Sequence, residues 1–188
     1  LKAEFLSGFS KNTFLIGADY SRVTDKGILD AEFQELPGAV DLTNPDIYLD
    51  RKLALPKDML HVVRTLFLWR GTAYQRLRMQ NHGDLPFDVR LSLAFASDFA
   101  DLFEVRGLRR QRRGTVTAEV CGEAGVELNY QGLDGNRRRT ILLFDPAPER
   151  LSSSLASYAF TLLPNESRSV FVTVKCERGV EKSLPLPF

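Results

Sequence analysis

Residues 115–130 read TVTAEVCGEAGVELNY, and this run decides the fold. Val116, Ala118 and Val120 alternate with Thr115, Thr117 and Glu119. Beyond the Gly122–Gly125 reversal, Val126, Leu128 and Tyr130 alternate with Glu127 and Asn129. A period of two belongs to extended chain, so each run is a strand with one apolar and one polar face. The glycines between them turn the second strand back beside the first. Gly132-Leu133-Asp134-Gly135 reverses the chain again, with Asp-Gly expected to supply the positive φ angles of a tight hairpin. Arg137–Phe144 follows as the next strand, closed by Asp145-Pro146-Ala147-Pro148.

The same grammar extends in both directions. Downstream, Ala156–Leu163 and the turn Pro164-Asn165-Glu166-Ser167 lead into a strand where Val170, Val172 and Val174 oppose Phe171, Thr173 and Lys175. Upstream, Met59–Trp69 and Thr72–Gln80 are β-rich runs joined at Gly71. Asn81-His82-Gly83-Asp84 then turns into Phe87–Ala96, where Val89, Leu91, Leu93 and Phe95 share a face. In the first fifty residues Phe14–Tyr20 and Val40–Leu42 read as strands and Thr43-Asn44-Pro45-Asp46 as a turn. The sum is an all-β chain, an antiparallel β-sandwich of roughly nine to eleven strands, the usual reading of short alternating runs at regular spacing. Residues 1–183 form a single domain. Residues 184–188 begin an interdomain linker, because the prolines of Leu184-Pro185-Leu186-Pro187-Phe188 cannot donate to a sheet.

Composition narrows the function. The chain has 188 residues, 44% of them apolar, with thirteen Phe, five Tyr and one Trp for a core. Its 25 basic residues balance 24 acidic ones, so charge gives no reason to invoke nucleic acid or an anionic membrane. No run approaches the ~20 apolar residues of a membrane-spanning helix. Leu1-Lys2-Ala3-Glu4 places an acid where a secretory signal is basic, which points to the cytoplasm. Cys121 and Cys176 are expected as reduced, part-buried thiols. His61 and His82 lack ligand-spaced neighbours, so no metal or other cofactor is expected. Nucleophile elbows, phosphate-binding loops and dinucleotide fingerprints are absent, and Ser152-Ser153-Ser154 reads as a turn.

One segment breaks the β pattern. Phe95, Phe99 and Phe103 recur every four residues, so a short helix or loop is expected to interrupt the sheet near residues 97–106. Asp98, Asp101 and Glu104 form an acidic strip beside them, followed by Arg106, Arg109, Arg110, Arg112 and Arg113. Glycoside hydrolysis needs two carboxyl groups across a cleft, whereas acids three apart on one turn sit side by side. Ion pairing with the adjacent arginines is the simpler reading, and it makes this a contact surface.

The same decapeptide, Asp98-Phe99-Ala100-Asp101-Leu102-Phe103-Glu104-Val105-Arg106-Gly107, resembles the hallmark segment of the N-terminal domain of bacterial-type glycogen debranching enzymes (amylo-α-1,6-glucosidase-like proteins). Thr43-Asn44-Pro45-Asp46, Asn81-His82-Gly83-Asp84, Arg113-Gly114, Tyr130-Gln131-Gly132-Leu133-Asp134-Gly135 and Phe144-Asp145-Pro146-Ala147-Pro148 resemble further signatures of that domain, in the same order. The resemblance implies a β-sandwich preceding a helical (α/α)₆ barrel that performs the hydrolysis. The family's catalytic carboxylates belong to that barrel, so no catalytic residue carries over. The partner implied is the C-terminal catalytic domain of the same protein, whose α-glucan groove this domain is expected to help wall.

On this reading the contact residues are Asp98, Phe99, Asp101, Phe103, Glu104, Arg106 and Arg109. An alternative is a carbohydrate-binding module that itself holds α-glucan by ring stacking on Trp69, Tyr74, Tyr130 or Tyr158. For each ring taken singly, core or sheet-edge packing is the commoner use. A third reading, a stand-alone enzyme, requires distant carboxyl groups such as those of Asp98 and Glu166 to meet across a cleft.

Overall fold

A computed structural model of the chain describes residues 2–7, 10–15, 38–49, 51–99 and 112–178. Every regular element among them is a strand. Seven strands form one antiparallel sheet: β3 (Gly38–Thr43), β6 (Leu60–Trp69), β7 (Thr72–Asn81), β14 (Ser167–Arg178), β11 (Arg137–Asp145), β10 (Gly125–Gln131) and β9 (Thr115–Cys121), in that spatial order. A second sheet orders β12 (Arg150–Leu151), β13 (Leu155–Leu162) and β8 (Phe87–Ala94). The hairpin of β1 (Lys2–Ser7) and β2 (Ser10–Leu15) has β1 running close to β8. β4 (Ile47–Leu49) and β5 (Lys52–Leu55) make a small ribbon.

The core lies between the large and small sheets, and strand alternation decides what enters it. Leu60 and Val62 of β6, Leu77 and Met79 of β7, Val170, Val172 and Val174 of β14, Leu142 and Phe144 of β11, and Val126 and Leu128 of β10 form one buried cluster. Val89, Leu91 and Leu93 of β8 and Ala156, Tyr158 and Leu162 of β13 close it from the other side. Register keeps these rows aligned: Val62 pairs with Met79, Leu77 with Val170, Val172 with Phe144, and Leu142 with Val126. A slip of one residue would turn every one of these side chains outward, which pins the pairing. Arg64 shares this face but is buried, its Nε donating to Gln75 Oε1 at 3.1 Å.

The sandwich follows the sequence reading, with informative differences. Fourteen strands are formed among the described residues. The excess over the expected number comes from short pieces such as β4, β5 and β12, too brief to show a period. β2 ends at Leu15, where a strand over Phe14–Tyr20 was expected, and the rest of that span lies outside the described residues. The Gly132–Asn136 loop is longer than a two-residue hairpin. Gly135 alone in it takes a positive φ, 76°, and Gly132 N–H donates to Asn136 O at 2.9 Å. At the expected interruption, residues 95–99 are irregular and Phe99 has a φ of 48°, which no right-handed helix accommodates. Cys121 and Cys176 form no disulfide and are exposed rather than part-buried, Cys121 because it ends an edge strand. No described helix is long and apolar enough to cross a membrane. Residues 179–188, with the expected linker, lie outside the described residues.

Candidate functional site

Most of the sequence signatures turn out to hold the fold. Asn44, 4% exposed, donates to Pro45 O at 2.8 Å and Pro56 O at 2.7 Å, and accepts from Leu60 N–H at 2.7 Å. It thereby ties the β3–β4 turn to the entrance of β6. Asn81 is fully buried; its amide donates to Leu85 O and Leu162 O, and its Oδ1 accepts from Gly83 N–H at 2.7 Å. Asp134 accepts from Arg138 at 2.8 Å and from Asn136, and these bonds, Arg138 first, hold its carboxyl far below the usual range. The Tyr158 hydroxyl donates to Pro146 O at 3.1 Å, beyond the cis Asp145–Pro146 bond. Burial, with Asp145 nearby, pushes that phenol well above its ordinary value.

The mixed-charge segment is anchored at both ends on one ring. Phe99 stacks on Tyr130 with centroids 5.2 Å apart and planes 14° apart. From the other end, Gly114 N–H donates to the Tyr130 hydroxyl at 3.0 Å. Arg138 sits 5.8 Å from the same ring. Tyr130 is therefore buried as a post for the segment, with no open face for a sugar. Asp98 is exposed beside Phe99. Asp101, Phe103, Glu104, Arg106 and Arg109 lie outside the described residues. Glu166 accepts from Leu163 N–H at 2.8 Å and Arg168 Nε at 2.9 Å. These bonds keep its carboxyl below its usual range, the opposite of a poised general acid.

A group of open aromatic side chains lies on the face of the large sheet turned away from the core. Trp69 and Phe67 of β6 are 45% and 40% exposed. Phe67 stacks on Tyr74 of β7, centroids 4.9 Å and planes 13° apart. The Arg70 guanidinium lies 4.7 Å over Trp69, and that of Arg76 lies 5.7 Å over Phe171. Of the four rings read as stacking candidates, Trp69 and Tyr74 are thus brought together here, while Tyr130 and Tyr158 are buried elsewhere. Phe67 was legible: a two-residue turn at Arg70–Gly71 sets Trp69 opposite Thr72 and hence Phe67 opposite Tyr74.

Towards β10 the same face carries a row of charges. Arg139 bonds Glu177 closely and reaches Glu127 at 3.3 Å, while Lys175 Nζ lies 2.9 Å from Glu177 Oε1. Burial pushes the Glu177 carboxyl up, but Arg139 and Lys175 outweigh it and hold the group below its ordinary value. At the far edge His61 Nε2 sits 3.1 Å from Asp41 Oδ1 and its ring 5.6 Å from that of His82. Among the described residues no group of three or more His, Cys, Asp or Glu side chains is arranged to hold a metal ion.

A family model described as the N-terminal domain of (some) glycogen debranching enzymes matches residues 30–173. A search of curated proteins returns no match. Among solved structures, a chain described as a kojibiose phosphorylase from human microbiome aligns at 14% identity and a TM-score of 0.44, covering 64% of this chain and 18% of that one. A polysaccharide lyase aligns at 13% identity and a TM-score of 0.46, covering 95% of this chain and 25% of its own. The chain thus spans a quarter or less of the length of the solved structures it matches.

Proposed function

The chain belongs to the family of N-terminal domains of (some) glycogen debranching enzymes, and from that premise we propose that it is a non-catalytic accessory domain of a cytoplasmic amylo-α-1,6-glucosidase-type hydrolase. It packs on an (α/α)₆ catalytic barrel and lines one wall of its α-glucan groove. The observation that carries this reading is the division of labour among the signature residues. Asn44, Asn81, Tyr130 and Asp134 hold turns and loops, while Phe67, Trp69 and Arg76 lie exposed on the outer face of the large sheet. Such a face, mixing exposed aromatic rings with arginines, has the composition of a protein contact. The Asp98 segment, held at its base by Tyr130, is the second contact.

The test compares the 188-residue chain with the polypeptide that continues into the catalytic region, assaying release of glucose from α-1,6-branched glucan. Hydrolysis requires the longer polypeptide. Turnover by the 188 residues alone would sink the proposal.

A second reading is favoured by the Phe67–Tyr74 stack with Trp69 beside it, because flat exposed rings suit the apolar face of a pyranose. In this case the domain itself retains α-glucan. Delayed passage over immobilised glycogen, abolished by Trp69→Ala, supports it; unretarded passage removes it.

A further inference from the structure

Among the described residues, β9 is the outermost strand of the large sheet and pairs with β10 alone. All seven of its residues are exposed. An edge strand offers a row of unpaired N–H and C=O groups to any other strand, and native sheets blunt that hazard with Lys, Pro, bulges or a covering element. β9 has none of the first three. Its register with β10 runs unbroken from Thr115↔Gln131 to Cys121↔Gly125, and the strand contains no Lys, Arg or Pro. Val116, Ala118 and Val120 continue the core rows of Tyr130, Leu128 and Val126, yet Val116 remains 49% and Val120 46% exposed.

The sequence of the strand indicates what covers it. Turned antiparallel about Ala118, β9 is complementary to itself. Val116 meets the partner's Val120, Ala118 meets its own copy, and Glu119 meets a Thr117 hydroxyl rather than a second carboxylate. Shifting by one residue puts the apolar rows on opposite faces. Centring on Glu119 sets two carboxylates face to face, and centring on Thr117 pairs Val120 with Gly114. Only the Ala118 register pairs both valines with valines.

We propose that two copies of this chain associate through β9, antiparallel about a two-fold axis at Ala118, into one continuous sheet. The contact is isologous, as dyad interfaces are. It stands independently of the family reading. One strand edge is a small contact beside the ~1,200–2,000 Å² of stable complexes, so association is expected in the range of roughly micromolar to millimolar chain.

The experiment is sedimentation equilibrium of the 188-residue chain across that range, with a register-specific cross-link. The apparent mass should rise from 21.2 kDa towards twice that value. Val120→Lys should hold it at the monomer with an unchanged circular dichroism spectrum. In a Cys121→Ser, Cys176→Ser background, Ala118→Cys should form an intermolecular disulfide on mild oxidation, whereas Thr115→Cys should not. The cross-link decides the matter if Val120→Lys fails to fold. A monomer at every concentration, a dimer that survives Val120→Lys, or equal cross-linking at both positions overturns the proposal. A monomer would assign the edge to another segment of the longer polypeptide.

Discussion

Asn44 shows how much a single polar side chain contributes here. Asn44→Ala removes three hydrogen bonds and leaves the Leu60 N–H buried with no replacement. Each orphaned buried group costs about 1–3 kcal/mol, so a loss of ~2–4 kcal/mol is expected. It should appear as a lower urea midpoint at constant slope. Two glycines fail on substitution for different reasons. At Gly114 an added Cβ would lie 1.9 Å from Gln131 O, so Gly114→Ala must displace backbone. At Gly71 nothing lies within 4 Å, but φ is 74°, and Gly71→Ala should cost only the ~1–2 kcal/mol of left-handed strain. Urea melts should rank Gly114→Ala as the more damaging of the two. Glu177 sets a pH dependence. Its carboxyl is depressed in the fold, so its contribution is present above the unfolded value of about 4.3 and fades as pH falls below it. Glu177→Gln should therefore flatten the acid limb of the stability profile below the unfolded value of about 4.3. A limb identical to that of the native chain would contradict this account.

At the scale of elements, what could be read in advance followed period and turn chemistry. β6, β7, β10 and β11 were legible because apolar alternation and a nearby Gly agree on strand and reversal. β4, β5 and β12 were not, since two to four residues cannot display a period. The four-residue spacing of Phe95 and Phe99 imitated a helix face, but these rings go to separate partners, Phe95 to Phe144 and Phe99 to Tyr130. Tertiary packing across the sheet overrode the local pattern, and no window of sequence contains both halves of such a contact. Of the candidate stacking rings, Trp69 and Tyr74 could be picked out by residue type and lie on the outer face, but the burial of Tyr130 and Tyr158 depends on distant strands. Tyr130 also yields an element-level prediction. Tyr130→Phe keeps the Phe99 stack but loses the Gly114 bond, so a cost of about 1 kcal/mol is expected, with faster hydrogen exchange at the Gly114 amide. Tyr130→Ala removes both anchors and should cost ~3–5 kcal/mol. Equal effects from the two would mean that the hydroxyl, rather than the ring, holds the segment.

Over the whole molecule, the two faces of the large sheet answer to different demands, and substitution can separate them. Leu77 and Met79 lie on the core face with about 1% exposure or less, so truncation to Ala there should cost ~2–5 kcal/mol. Phe67 and Trp69 lie on the neighbouring strand β6 and point the other way, and their loss should change stability far less. The comparison is therefore between residues of two paired strands that face opposite sides of one sheet. In the polypeptide that includes the catalytic region, Phe67→Ser with Trp69→Ser should leave the melting temperature of this domain within a few degrees, about the shift of 0.5 kcal/mol for a chain of this size. Debranching activity should fall at least tenfold in the same variant, the effect of removing interface anchors worth about 1.4 kcal/mol or more. If activity persists while binding to glycogen is lost, the aromatic face holds glucan and does not dock the barrel. If both persist, the outer face serves neither role, and the Asp98 segment remains as the contact to test. Stability lost along with activity would show instead that the two rings belong to the core, contrary to the exposure that distinguishes them.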